Sequence, residues 1–368
     1  MLLRRRAQAF RLPMAAPDDA SALVALIKGG DLDPAHIVAI LGKTEGNGCV
    51  NDFTRGFAVM ALRAALGRWL APSALDRVAM VMSGGTEGAI APHMLVLAAR
   101  PAADRAAPGP ALALGCVVTR DLAPEEIGRP AQIALAAEGV RAAMADAGIG
   151  AAADVHFAQI KAPLLTMEQI ARGGTAASDT LKSMGLSRGA AALGVGAALG
   201  EIAQSAAMAA AVGADPSLWS ARASCSAGVE LRGMEIVVMG MSDAWAGPLR
   251  IDHAVMADGL DIDPVRAALR RLGARFDGQL PPAEAARVCA VLAKAEAPRS
   301  GQVRGWRHTM LDDSDIAATR HARAFAAGAL AAQTGHAALF VSGGAEHQGP
   351  DGGGPCAILY DASSQDQE

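Results

Sequence analysis

Short apolar runs of strand length alternate along the chain with Ala-rich segments of helical spacing and with Gly/Pro-rich turns. Three of these runs close on a serine followed by a small residue. They are residues 78–82 before Ser83-Gly84-Gly85, 221–225 before Ser226-Ala227-Gly228, and 338–341 before Ser342-Gly343-Gly344. After each comes a second apolar run that reaches an aspartate, at 116–121, 236–243 and 356–361. Upstream of each serine, an arginine stands at the head of an Ala-rich helical pattern: Arg55, Arg188 and Arg320. Further upstream, a lysine closes another apolar run: Lys43, Lys161 and Lys294. Asp33-Pro34 and Asp263-Pro264 read as helix entries, with proline in the first turn.

One Ser-Gly or one apolar run ending in lysine is commonplace in a Gly- and Ala-rich chain. Four features in the same order three times are not. Each third predicts a helix, a strand ending in lysine, a helix opening with arginine, a strand ending in serine and a strand ending in aspartate. Units of about 120 residues are too large for a solenoid repeat and read as small α/β domains. The predicted fold class is α/β: three similar units, residues 1–105, 106–250 and 251–368, around a pseudo-threefold axis with one central site. The divisions follow the Pro/Ala/Gly-rich stretches 100–110 and 246–252.

Composition narrows the function. The 368 residues are 52% hydrophobic and carry a formal net charge of −4, which excludes a disordered chain. With 37 acidic against 33 basic residues, no basic excess points to nucleic acid. No apolar run long enough to span a bilayer is free of charges, glycines and prolines. The five cysteines are odd in number, widely spaced and without a CxxC pair, so neither a disulfide framework nor a zinc site is expected. Arg4, Arg5 and Arg6 precede no apolar core of a secretory signal. A transit peptide would be similarly basic, but Asp18-Asp19 follows closely, so a cytoplasmic protein is expected.

Convergence of the units would bring three lysines, three arginines and three serines to one centre. Six cations repel unless a ligand brings oxygens or negative charge to them. A planar, carbonyl-rich, weakly acidic ring meets that need. Arginine offers a rigid planar fork to its oxygens, and Ser-Gly turns offer a hydroxyl with closely approaching N–H donors. A serine beside a neutral lysine can also attack a carbonyl without histidine, since burial and neighbouring cations depress the lysine pKa. The residues therefore point to a hydrolytic or binding site for a small cyclic amide.

The segments Gly42-Lys43-Thr44-Glu45-Gly46-Asn47-Gly48, Asn51-Asp52-Phe53-Thr54-Arg55, Ser83-Gly84-Gly85-Thr86-Glu87-Gly88 and residues 342–350 (SGGAEHQGP) resemble the cyanuric acid hydrolase/barbiturase family of ring-opening amidohydrolases. The resemblance covers nearly the whole chain. It implies a homotetramer that hydrolyses cyanuric acid to carboxybiuret, which loses carbon dioxide to give biuret. The sister activity opens barbituric acid to ureidomalonate. It makes Ser226 the nucleophile and Lys161 its base. It assigns substrate binding to Arg55, Ser83, Gly84, Arg188, Ser226, Ala227, Ser342 and Gly343, with Lys43 and Lys294 lining the same centre. For the third arginine, repeat spacing favours Arg320, and the family's distance to the third serine favours Arg323. The resemblance also implies a structural divalent cation, Mg²⁺ or Ca²⁺, held by Glu296 and by the carbonyl-rich loop of Ala345, Gln348, Gly349, Pro350 and Gly353. No cofactor is expected for the chemistry itself.

Other readings are weaker. The C-terminal glycine-rich loop lacks a phosphate-cradle pattern. Cys225 adjoins Ser226 but has no histidine partner in the other repeat slots, and the histidines show no zinc-hydrolase spacing. His347 could touch the ion loop or simply pack. A non-catalytic oligomeric protein that retained only the pocket is the alternative from a different class. Lys161 beside Ser226 argues against it, because a binder needs no base.

Overall fold

The lysine-closed and serine-closed runs are neighbouring parallel strands. The computed structural model describes residues 4–102 and 109–363. A first sheet holds β1 (Arg5–Pro13), β2 (Ile37–Thr44), β3 (Ala79–Gly84) and β4 (His93–Pro101) in the order β3-β2-β4-β1. A second holds β5 (Ala111–Val118), β6 (Val155–Pro163), β7 (Ala223–Gly228) and β8 (Glu235–Ser242) in the order β5-β8-β6-β7. The short β9 (Trp245–Ala246) pairs with β1 of the first sheet. The third holds β10 (Leu249–Met256), β11 (Val288–Ala295), β14 (Phe340–Gly343) and β15 (Gly354–Asp361) in the order β10-β15-β11-β14. A small hairpin, β12 (Gln302–Val303) with β13 (Trp306–Arg307), stands apart.

Strand sense repeats as well. In each sheet the first strand is antiparallel to the fourth, and the fourth is antiparallel to the second. The second is parallel to the third. A parallel pair needs a crossover. Helices Phe53–Leu66, Thr180–Ala198 and Ala318–Thr334 lie in these connections.

Three local expectations are corrected. The aspartate-ending run at 116–121 is not the closing strand of the first sheet. It is the tail of β5, which opens the second sheet and stops at Val118. The closing strand of the first sheet is β4, which ends on Arg100-Pro101 and carries no aspartate marker. Arg188 does not head its helix. Asp179 caps that helix by accepting from the Lys182 N–H at 2.7 Å, which places Arg188 deep inside it. Asp33-Pro34 opens only the single 3₁₀ turn Pro34–His36 before β2, whereas Asp263-Pro264 does begin the helix Asp263–Arg271. The expected division near residue 105 lies outside the described residues. Residue 250 is the second residue of β10.

Alternation along the strands explains how the site is placed. Ala39 and Leu41 of β2, and Ala79 and Val81 of β3, face an apolar interior shared with Leu112 and Phe157 of the second sheet and Leu292 and Leu359 of the third. Their neighbours Ile40, Met80 and Met82 face a separate cluster with Leu62 and Leu66 of the first helix layer. Lys43 and Ser83 keep the parity of Leu41 and Val81. Lys294 and Ser342 keep that of Leu292 and Phe340, which also belong to the shared interior. The polar residues thus end the inward-facing rows of their strands, where the sheets meet.

Candidate active site

Each lysine stands opposite its own serine in strand register: Lys43 with Ser83, Lys161 with Ser226, and Lys294 with Ser342. Neighbouring strands are about 4.8 Å apart, so each pair shares one location. The lysines are 0%, 1% and 2% exposed, and the three serines are buried.

Contacts across the sheets run in a ring. Lys43 Nζ donates to Val341 O at 2.8 Å, Lys294 Nζ to Cys225 O at 2.9 Å, and Lys161 Nζ to Met82 O at 2.9 Å. Each acceptor immediately precedes the serine of another sheet. The first sheet thus reaches the third, the third the second, and the second the first.

The arginines close a ring in the opposite sense. Arg188 donates through Nε (2.8 Å) and Nη2 (2.7 Å) to Glu346. Arg323 grips Glu87 in the same way, with Nε at 2.8 Å and Nη2 at 2.5 Å. Arg55 Nε lies 3.3 Å from Glu230. Planar forks of this kind suit bidentate carboxylate pairing. The backbone leaves room for them: a Cβ on Gly85 or Gly344, both at positive φ, would sit 2.4–2.5 Å from the guanidinium of Arg323 or Arg188. Arg320 instead lies at the rim, one-third exposed, 3.8 Å from Glu87. Arg323 is 3% exposed and is the residue that matches Arg55 and Arg188 in its contacts.

Sequence reasoning missed the three glutamates. Glu87, Glu230 and Glu346 each follow their serine by four residues in the pattern Ser-x-Gly-x-Glu, a signal that was present in the chain. They correct the expectation of six uncompensated cations, because three carboxylates are built into the centre.

The middle set differs from its counterparts. Lys43 Nζ and Lys294 Nζ reach their serine Oγ at 3.2 and 3.3 Å. Ser226 Oγ is buried without a hydrogen-bond partner among the described residues. Lys161 Nζ lies 3.1 Å from Glu230 Oε1. Burial pushes all three lysines down: Lys161 to about 8, against the pull of Glu230, and Lys294 to about 7, helped by Arg188. Lys43 falls well below its ordinary value through burial and Arg323. Cys225, also buried, is pushed up to about 12, so it stays a thiol and is no nucleophile.

The residues expected to hold a cation gather at the edge of this centre. Glu296, Ala345, Gly349 and Pro350 line one cavity with Asp215, Arg299 and Asp351. Gly353 lines an adjoining one with Glu296. Burial and the charge of Glu346 raise the Glu296 pKa. The half-buried Glu296 carboxylate offers this cavity the hard oxygen donor that Mg²⁺ or Ca²⁺ accepts, while the Ala345 and Pro350 carbonyls already accept from Gln348 N and Gly353 N. Gln348 lines neither cavity, and its side chain is engaged elsewhere, accepting from Cys225 N at 2.5 Å. His347 packs rather than ligates: its Nδ1 meets Leu218 O at 2.5 Å and its Nε2 accepts from Gly213 N at 2.7 Å.

A second polar cluster, His156, Asp252 and His253, joins the second and third sheets. Arg271 already holds one Asp252 oxygen at 2.6 Å, and His156 faces the other at 3.4 Å, so it forms an ion-paired seam.

Among the described residues no helix is long and apolar enough to cross a membrane. Comparison with known proteins matches this architecture closely. A family model described as amidohydrolase ring-opening protein matches residues 8–361. A cyanuric acid amidohydrolase from Bradyrhizobium sp. is 60% identical, over 97% of this chain and 98% of its own length. The crystal structure of a cyanuric acid hydrolase from A. caulinodans superposes with a TM-score of 0.91 at 55% identity, covering 98% of this chain and all of that one. Another cyanuric acid hydrolase, described as an evolutionary innovation by structural concatenation, also gives 0.91, at 48% identity and the same coverage. The chain therefore belongs to the ring-opening amidohydrolase family.

Proposed function

We propose that this enzyme hydrolyses cyanuric acid by means of one Ser–Lys dyad, Ser226 with Lys161. The observation that carries the reading is the buried, unpartnered Ser226 Oγ, on the strand position opposite a lysine whose pKa burial brings down to about 8. Such a lysine is partly neutral near neutral pH and can take a proton. Ser226 Oγ attacks a ring carbonyl carbon and its proton passes to Lys161 Nζ. The carbonyl electron pair moves onto oxygen. As the ring C–N bond breaks, Lys161 returns the proton to the departing nitrogen. Water then adds to the carbonyl of the resulting serine carbamate, its proton passing by way of Lys161 to the departing Ser226 Oγ, and the carboxybiuret released loses carbon dioxide to leave biuret.

The three units stand around a pseudo-threefold axis, as the two rings of contacts support, with residues 1–105, 106–250 and 251–368 as the units. The substrate has the same symmetry. Its three carbonyls meet Arg55, Arg188 and Arg323 and the turns Ser83-Gly84, Ser226-Ala227 and Ser342-Gly343, with Lys43 and Lys294 alongside. A bound ring would compete for guanidinium groups now turned to glutamates. Glu296 and the carbonyls of Ala345, Gln348, Gly349, Pro350 and Gly353 would hold Mg²⁺ or Ca²⁺. That cation supplies charge compensation and rigidity at the edge of the site. The homotetramer fits an exposed apolar stripe, Phe53, Phe57 and Met60, on the helix bearing Arg55. The free cysteines fit a reducing cytoplasm.

The test is a side-by-side assay on cyanuric and barbituric acids, following loss of ring absorbance. Turnover of cyanuric acid ahead of barbituric acid is expected. Turnover of neither would reduce the protein to a binder, and preference for barbituric acid would reverse the substrate assignment.

A further inference from the structure

The three glutamates occupy one sequence offset and two different situations. Glu346 and Glu87 are each gripped by both Nε and Nη2 of an arginine. Glu230 is not. Arg55 Nε stands 3.3 Å away, and neither Arg55 Nε nor either Glu230 oxygen has a hydrogen bond of good geometry among the described residues. Glu230 Oε1 instead faces two cations, Lys161 Nζ at 3.1 Å and Arg55 Nε at 3.3 Å, so that here alone the glutamate is shared between an arginine and its lysine. We propose that Glu230 is the positioning residue that makes Lys161, alone of the three lysines, able to receive the serine proton. This rests on the dyad assigned above.

The argument is electrostatic. When Ser226 Oγ bonds to the ring carbon, its proton creates an ammonium on Lys161 in a buried site. An unpaired buried ammonium is costly, and a carboxylate at ion-pair distance offsets that cost as the charge forms. Lys43 and Lys294 have no such partner, because their glutamates are turned to Arg323 and Arg188, and those guanidinium groups oppose a second cation nearby. Glu230 also draws Lys161 Nζ to itself, while each outer lysine hydrogen-bonds its serine.

Other charges facing Lys161 do not replace Glu230. Arg55 opposes the ammonium, and Asp52 contributes least among the groups acting on it. Asp52 is engaged as the cap of the helix Phe53–Leu66, accepting from Thr54 N at 3.0 Å. Glu235 lies opposite Lys161 on β8, but its carboxylate is engaged by Met80 N at 2.8 Å, and it is common to all the variants compared below.

The experiment compares pH profiles of the full-length enzyme with Glu230→Gln, Glu230→Asp, Glu87→Gln, Glu346→Gln and Ser226→Ala. Loss of the carboxylate lowers the Lys161 pKa, so the acid limb of kcat/KM moves to lower pH. A shift of about one pH unit is expected for Glu230→Gln, with kcat down about 10- to 100-fold and KM within about threefold. Glu230→Asp keeps the charge at longer reach and falls between wild type and Gln. Glu87→Gln and Glu346→Gln change KM and leave the limb in place. Substrate ionisation is common to all variants and cancels in the comparison. An unmoved limb in Glu230→Gln, or an Asp variant outside the wild-type-to-Gln order, overturns the proposal while an inactive Ser226→Ala keeps the dyad. Wild-type turnover by Ser226→Ala removes the dyad, and the role of Glu230 with it.

Discussion

The middle Ser–Lys set and its two counterparts share strand order, register, burial and cross-sheet contacts. They part at the glutamate. In the outer sets the carboxylate is locked to an arginine and the lysine hydrogen-bonds its serine. In the middle set the carboxylate meets the lysine, and the serine hydroxyl is left unpaired. An unpartnered buried hydroxyl costs about 1–3 kcal/mol, which a folded chain tolerates where function requires it. On the proposed reading, near-symmetry would bind a symmetric ring three times over while only one edge of the site is set up to react.

The largest effect should come from the serines. Ser226→Ala is expected to lower kcat by at least about a thousandfold, as removal of a nucleophile does. Ser83→Ala and Ser342→Ala should cost about tenfold each, mainly in KM, because they remove one donor to a substrate oxygen. Steady-state kinetics on cyanuric acid decides it. Equal losses at all three serines would make the sets equivalent and erase the contrast.

Next in size are the lysines. Lys161→Arg keeps the positive charge but cannot give up its proton at working pH. It should lose at least about a hundredfold in kcat, whereas Lys43→Arg should act mainly through packing and KM. Normal turnover by Lys161→Arg would show that the base lies elsewhere.

How far the chain announces this contrast depends on where each residue sits. Lys43, Lys161 and Lys294 were legible because a lysine closing an apolar strand is out of place unless it serves a site. The serines were legible through their glycine turns. The opening strands were not: β1 interleaves arginines with apolar residues, and β5 was mistaken for a closing strand because Asp121 follows it. The glutamates were hidden for a different reason. A lone acid beyond a turn looks like solvated surface, and only the fold sets each one against an arginine from another sheet. Arg320 and Arg323 lie three apart on one helix and are near neighbours on its surface. Burial and the Glu87 contact separate them, and neither is visible in sequence.

That separation gives a smaller effect. Arg323→Lys loses the bidentate grip on Glu87 and should raise KM about tenfold. Arg320→Lys, at the one-third-exposed rim, should stay within about twofold. Reversed outcomes would place Arg320, not Arg323, in the ring with Arg55 and Arg188.

A last effect is on stability, and it reports on Lys161 in the absence of any ligand. Its folded pKa of about 8 lies below the ordinary 10.5, so between those values the unfolded chain binds more protons than the folded one. Stability from this group therefore rises with pH, is complete above about 10.5, and is lost as pH falls toward 8. Lys161→Met removes that contribution, so the difference in Tm between wild type and variant, scanned from pH 7.5 to 10.5, should change in favour of wild type as pH rises. Glu230→Gln lowers the folded pKa further, so its rise should begin at lower pH. A flat difference for Lys161→Met would mean that the lysine is not depressed in the folded protein. The middle pair would then be as poorly poised for proton transfer as an exposed lysine, and its distinction from the outer two would rest on geometry alone.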